Sequence, residues 1–319
     1  MGCAGSVYWR REPWWSDVAI EYIENGFPDC VPGIALGNGS RIFVATARLR
    51  HETVLTTSSR NRNPAATVYS YEPETSTWKM ELDNIENGFK NCVPSIAVAP
   101  NGHLYVATVQ TVPNYKGTGQ AIPMATVHSY APGSSQGKVV VQNVRNGYSN
   151  CVPSIAIGAD GTLFVVTAQG VQNRKVDGYS SPVATVYSYA PGSSEGTVVL
   201  DNISNGFSDC VPSITISSDG RILLATAERL PNRCPTTTVH AYARGLGGRY
   251  VKTVICQNIE NGFRNCVPDI AVKPDGSILV ATSELHPKRG LAATVKVYGK
   301  PVPPKDEESQ RRLSTHHAV

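Results

Sequence analysis

The sequence predicts an all-β chain: a five-bladed β-propeller with four antiparallel strands per blade, closed by the N-terminal strand completing the last blade. Three observations predict it. A signature string recurs five times along the chain. Each repeat carries four strand-like runs. The two ends of the chain hold complementary parts of one repeat.

The string is Asn-Gly-Phe/Tyr-x-x-Cys-Val-Pro-x-Ile, beginning at Asn25, Asn87, Asn146, Asn205 and Asn261. Its cysteines are Cys30, Cys92, Cys151, Cys210 and Cys266, spaced by 56 to 62 residues. A period of that length with four strands per unit describes a propeller blade. After each Pro comes a short apolar run such as Ile96-Ala97-Val98, and then an Asx-Gly turn. These turns are Asn38-Gly39, Asn101-Gly102, Asp160-Gly161, Asp219-Gly220 and Asp275-Gly276. Asx-Gly between apolar runs signals a tight hairpin with positive φ at both turn residues. The second run is β-branched and aromatic, as in residues 104–108. A variable polar loop leads to the third run, marked by Ala-Thr-Val or a near match at residues 66–68, 125–127, 184–186, 237–239 and 293–295. A Pro/Gly/Ser turn then leads to the fourth, such as residues 138–141. The fifth repeat stops after its third strand near Tyr298, and an orphan fourth strand precedes the first signature at about residues 17–23. Pairing the two closes the ring and removes an open blade face.

The expected domains are 1–16, an acylation and anchor segment; 17–299, the propeller; and 300–319, a disordered polar tail. Hydrophobic residues make up 41% and charged residues 17%, which excludes a disordered chain. The 28 glycines and 22 prolines suit many strands and turns. The net charge of +4 is too small to name a partner class.

The run "IAVAPNGHLYVAT" at residues 96–108 resembles the first hairpin of NHL-repeat and SMP-30-type propeller blades. The resemblance implies the fold and carries no function.

With the first strand of each blade innermost, all five signature loops emerge on one face, the top, around the channel mouth. The variable loops lie outside them on the same face and are basic: Arg48, Arg50, Arg60, Arg62, Arg174, Lys175, Arg229, Arg233, Lys288 and Arg289. Such a face suits a protein or anionic partner, while the scarcity of stacking aromatics argues against nucleic acid. The signature places an Asx before each cysteine, giving a ring of Asp29, Cys30, Asn91, Cys92, Asn150, Cys151, Asp209, Cys210, Asn265 and Cys266. Thiolates could favour zinc or copper(I), but five ligands without histidine fit a tetrahedral site poorly. The ring therefore reads more simply as buried thiols and turn-forming Asx, with no cofactor. The aromatics Phe27, Phe89, Tyr148, Phe207 and Phe263 would wedge between blades or stack on a ligand.

Met1-Gly2-Cys3-Ala4-Gly5-Ser6 fits the N-myristoylation pattern at Gly2, with Cys3 placed for palmitoylation. Two acyl chains would tether the protein to a membrane. The signal-free N-terminus and unpaired thiols suggest a cytoplasmic monomer, membrane-associated when acylated. Ser314 follows Arg311-Arg312-Leu313 and fits a basophilic kinase site.

No nucleophile elbow, Walker A or His-Glu-x-x-His string occurs. The inner strands are nearly identical except at Asp269, where the other blades have Gly33, Ser95, Ser154 and Ser213. Near-symmetry leads to the expectation of a non-enzymatic binding scaffold. Two alternatives are a lectin with five equivalent sites and a lactonase-like metal-dependent hydrolase at the channel mouth, where Asp29, Asp209 and Asp269 could hold a metal.

Overall fold

The computed structural model of the chain describes residues 15–24, 32–49, 64–86, 94–112, 122–145, 152–176, 179–204, 211–228, 236–260, 268–286 and 290–299. They form twenty strands in five four-stranded antiparallel sheets. Blade 1 is β2 (Gly33–Leu36), β3 (Ile42–Leu49), β4 (Pro64–Glu72) and β5 (Thr77–Glu86). Blade 2 is β6 (Ser95–Val98), β7 (Leu104–Val112), β8 (Ile122–Tyr130) and β9 (Gly137–Arg145). Blade 3 is β10 (Ser154–Ile157), β11 (Leu163–Val176), β12 (Tyr179–Tyr189) and β13 (Gly196–Ser204). Blade 4 is β14 (Ser213–Ile216), β15 (Ile222–Glu228), β16 (Thr236–Arg244) and β17 (Tyr250–Glu260). Blade 5 is β18 (Asp269–Val272), β19 (Ile278–His286) and β20 (Gly290–Gly299), completed by β1 (Trp15–Glu24). Trp15 pairs with Gly299 and Glu24 with Ala292, so the two ends close the ring as expected. The short inner strands touch in the cyclic order β2, β6, β10, β14, β18 and back to β2.

Five hydrophobic cores lie between neighbouring blades and share one plan, which blade 3 varies by offering Val166 where the other blades have alanine. One blade offers small side chains and the next offers large ones. Between blades 2 and 3, Ala97, Ala107 and Val127 receive Ile155, Leu163 and Val165. Between blades 5 and 1, Ala271, Ala281 and Val295 receive Ile34, Ile42 and Val44. Small facing large lets the sheets interdigitate at interior density. Each core also takes a tyrosine from the third strand, in the series Tyr71, Tyr130, Tyr189, Tyr242 and Tyr298. The expected wedges Phe27, Phe89, Tyr148, Phe207 and Phe263 lie outside the described residues. The tyrosine series was legible all along, three residues after the valine of each Ala/Thr-Thr-Val run.

The structure corrects the turns. Only the glycines take positive φ, with Gly39 at 69° and Gly276 at 84°. The preceding Asx does not. In blade 2, Gly102 N–H donates to the Ala99 carbonyl at 2.8 Å, closing a type I turn before glycine enters the left-handed region. The Asx side chain has a different task, accepting from the backbone two residues on: His103 N–H to Asn101 Oδ1 at 3.1 Å, and Ser277 N–H to Asp275 Oδ1 at 2.8 Å. A Cβ at Gly276 would meet nothing within 4 Å. Gly276→Ala is therefore expected to lose only the conformational term, about 1–2 kcal/mol, measured by denaturant unfolding.

The fourth strands are bulged. Asn143, Asn202 and Asn258 hold positive φ of 61°, 55° and 60°. The extra residue brings side chains three apart onto one face, so Val141 and Val144 enter the same core, as do Leu200 and Ile203. Strict alternation would have sent one of each pair to solvent. The third variable loop is also more regular than expected. Arg174 and Lys175 lie within β11, and Lys175 pairs with Ser180 across the hairpin.

Candidate functional site at the channel mouth

Each inner strand begins directly after a proline of the signature, at the end of the channel where the signature loops enter. The edge of that strand faces the axis, and its N–H groups have no further strand to pair with. The repeat supplies its own acceptor. Ile155 N–H donates to Ser95 Oγ, Ile214 N–H to Ser154 Oγ and Ile270 N–H to Ser213 Oγ, each at 3.0 Å. The first residue of one blade thus binds the second residue of the next. A seam of side chain-to-backbone bonds results, and it would be fivefold and uniform if all five positions were serine.

Two positions break it. Asp269 stands on blade 5 and Gly33 on blade 1. The aspartate is one atom longer than serine and ties both neighbours. Its Oδ2 accepts from Ile34 N–H at 2.5 Å, and its Oδ1 accepts from the Ser213 hydroxyl. Asp269 keeps part of its surface open, yet protein encloses its carboxyl. Desolvation dominates and lifts it from the ordinary 3.8 to about 6, against the lowering pull of Ser213 and the Ile34 and Ile270 N–H groups. No cation is among the groups acting on it. Gly33 has no oxygen to offer Ile96, and a Cβ there would lie 2.6 Å from the Pro94 carbonyl oxygen and 3.7 Å from Asp269 Oδ2. The smallest residue of the ring therefore sits beside its only acid.

The structure brings the acid together with Ser213 of blade 4 and the Ile34 N–H of blade 1. Asp29, Cys30, Asn91, Cys92, Asn150, Cys151, Asp209, Cys210, Asn265 and Cys266 lie outside the described residues. So do Arg50, Arg60, Arg62, Arg229, Arg233, Lys288, Arg289, Gly2, Cys3 and Ser314. Arg48 lies within β3. Among the described residues, no group of three or more His, Cys, Asp or Glu could hold a metal ion. Among them also, no helix is long and apolar enough to cross a membrane.

No family model and no curated relative matches the chain. Solved structures do. A GH43 protein, a BlXynB mutant from Bacillus licheniformis, superposes with a TM-score of 0.52 at 12% identity, over 92% of this chain and 57% of its own. A thermostable family-43 glycoside hydrolase gives 0.50 at 15% identity, over 88% of this chain and 90% of its own. A bifunctional GH43-CE protein from Bacteroides eggerthii gives 0.50 at 12%, over 85% of this chain but only 33% of its own. The chain thus spans about a third to nine-tenths of these structures. At such identities the likeness establishes the five-bladed fold.

The expectation of a non-enzymatic scaffold is corrected by these neighbours, all of which are glycoside hydrolases. Near-symmetry of the inner strands had argued against a catalytic site. That argument treated Asp269 as a minor exception, whereas the structure makes it an enclosed acid in an otherwise neutral ring.

Proposed function

We propose that this chain is a carbohydrate-processing hydrolase that cleaves glycosidic bonds at the channel mouth, with Asp269 as its acid. The observation that carries this reading is the enclosed carboxyl of Asp269, raised to about 6 at the one point where the ring is broken. A carboxyl in that range is protonated often enough near neutral pH to donate a proton, yet loses it readily. In this reading Asp269 protonates the leaving-group oxygen as the C–O bond breaks. A second carboxylate then attacks the anomeric carbon or activates the water that does, and water supplies the new hydroxyl. The retaining geometry needs the carboxyls about 5–5.5 Å apart and the inverting geometry about 6.5–9.5 Å.

No other inner strand carries an acid. The second carboxylate is therefore assigned to the signature loops, where the residue before the cysteine is Asp only in blades 1 and 4, at Asp29 and Asp209. Those are the two blades that flank blade 5 in the ring. The fold shared with family-43 glycoside hydrolases supports the same reaction class.

The test is a panel of aryl pentosides and hexosides with the full chain and its Asp269→Asn, Asp29→Asn and Asp209→Asn variants. Expected is release of the aryl alcohol, reduced about 10²-fold or more by Asp269→Asn. The wild-type rate should fall as pH rises above about 6, because the acid form is then depleted. A panel on which the wild type releases no more product than Asp269→Asn overturns the reading.

A further inference from the structure

Ser213 makes two bonds in the ring. Like Ser95 and Ser154 it accepts a backbone N–H from the next blade, here Ile270 N–H at 3.0 Å. Its hydroxyl hydrogen goes to Oδ1 of Asp269. Blade 5 presents that carboxyl at the position where blades 3 and 4 present serine.

The two carboxyl oxygens are not equivalent. Oδ2 is held by Ile34 N–H. A backbone N–H only donates, so Oδ2 must accept whether or not the carboxyl carries a proton. In a neutral carboxyl the better acceptor is the carbonyl oxygen, which leaves the hydroxyl to Oδ1. Oδ1 faces a group that can both donate and accept, because a serine hydroxyl has one hydrogen and two lone pairs. Ile270 N–H takes one lone pair of Ser213. The other can accept from Oδ1–H once the Ser213 hydrogen turns away. The ionised carboxyl thus receives the bond seen in the structure, and the neutral one receives the same contact reversed. A bond to an ionised acceptor is the stronger of the two. Ser213 therefore favours the charged form and opposes the desolvation that lifts the group to about 6.

The described strands around the carboxyl, β2, β14 and β18, carry no other titratable side chain. The residues paired with their first positions on the second strands are Ala45, Ala225 and Ala281. The acids Asp29 and Asp209 of the flanking signature loops are common to every protein compared below.

We propose that Ser213 is the positioning residue of Asp269: it confines the carboxyl's proton to Oδ1 and reverses its own hydrogen bond each time that proton leaves or returns. This deepens the hydrolase reading, in which the proton goes to a leaving-group oxygen, and rests on that reading only for the identity of the acceptor. When Oδ1–H breaks and the new O–H forms on the leaving group, the carboxylate left behind regains the Ser213 hydroxyl as a donor.

The test is a carboxyl carbon titration of the full chain, labelled in aspartate, from pH 4 to pH 9. The Asp269 resonance is the one lost in Asp269→Asn. Ser213→Ala is expected to raise its midpoint by about one pH unit or more, the effect of removing a charge-assisted hydrogen bond. Ser213→Thr, which keeps the hydroxyl, should restore the wild-type midpoint. Ser154→Ala removes the acceptor of Ile214 N–H at a ring position away from the acid, and should leave the midpoint unchanged. If Ser213→Ala does not fold, Ser213→Cys, with its weaker thiol donor, is read instead and should move the midpoint the same way. An unmoved midpoint, or an equal movement in Ser154→Ala, overturns the assignment. On the glycoside panel, the pH at which turnover declines should rise with the midpoint. A raised midpoint in a chain that cleaves no glycoside upholds Ser213 and ends the hydrolase reading instead.

Discussion

Asp269→Asn is expected to erase an acid-side gain in stability of about 3 kcal/mol, from a shift of roughly two pKa units at about 1.4 kcal/mol each. The folded protein holds this carboxyl at about 6 against an ordinary 3.8. Between those values the native state keeps a proton that the unfolded chain releases. Stability from this group is therefore fully present below pH about 4, falls as pH rises toward 6, and is flat above. Other carboxylates act in the opposite sense. Thr162 N–H holds the Asp160 carboxyl low and Ser277 N–H does the same for Asp275, so their contributions fade as pH falls. Both are common to the wild type and the variant. The informative quantity is thus the difference in unfolding free energy between the two proteins, measured in urea from pH 4 to pH 7.5. It should move in favour of the wild type on acidification. A difference that stays constant with pH would show that Asp269 is not desolvated in the folded state. The serial role of the side chain would then be purely that of a long serine.

Gly33→Ser separates the logic of the repeat from the geometry of the ring. By sequence, a serine there completes the set begun by Ser95, Ser154 and Ser213 and should accept from Ile96 N–H. By structure, its Cβ would stand 2.6 Å from the Pro94 carbonyl oxygen. That oxygen is backbone at the entry to β6, immediately after which the strand is paired with β7. It can yield only if blades 1 and 2 move apart, and the core of Ala35, Ala45, Val68, Ile96, Leu104 and Val106 binds them together. The variant is expected to lose about 1–3 kcal/mol, the range for overpacking a filled interior. The midpoint of denaturant unfolding measures it. A variant as stable as the wild type would mean that the fifth position tolerates the symmetric residue, and that glycine is there for another reason. One such reason is room beside the acid, and the glycoside panel on the same variant would reveal it as a loss of turnover without a loss of stability.

The architecture was legible in the sequence because a propeller repeats its instructions. Five copies of the signature, Asx-Gly punctuation and an unmatched strand at each end sufficed for blade number, strand order and the closure of β1 on β20. The rim bulges were not legible. Their signal is an Asn before an apolar residue, as in Asn143-Val144 and Asn202-Ile203, and alternation reads the flanking residues as facing opposite ways. Which Asx-Gly residue takes positive φ was also hidden, since two hairpin types share that dipeptide.

For the site, the sequence by itself determined that Asp269 is the one acid at the head of an inner strand. It also determined that Asp29 and Asp209 are the acidic members of the signature position. Only the tertiary structure decided what Asp269 is. The residues from other blades that act on it are Ser213 of blade 4 and Ile34 of blade 1, the latter 235 residues away along the chain. Enclosure by partners from both neighbouring blades raises its carboxyl, and desolvation of this kind arises from proximity across the ring. No local pattern records it, because the groups that exclude water meet only when the first blade closes against the last.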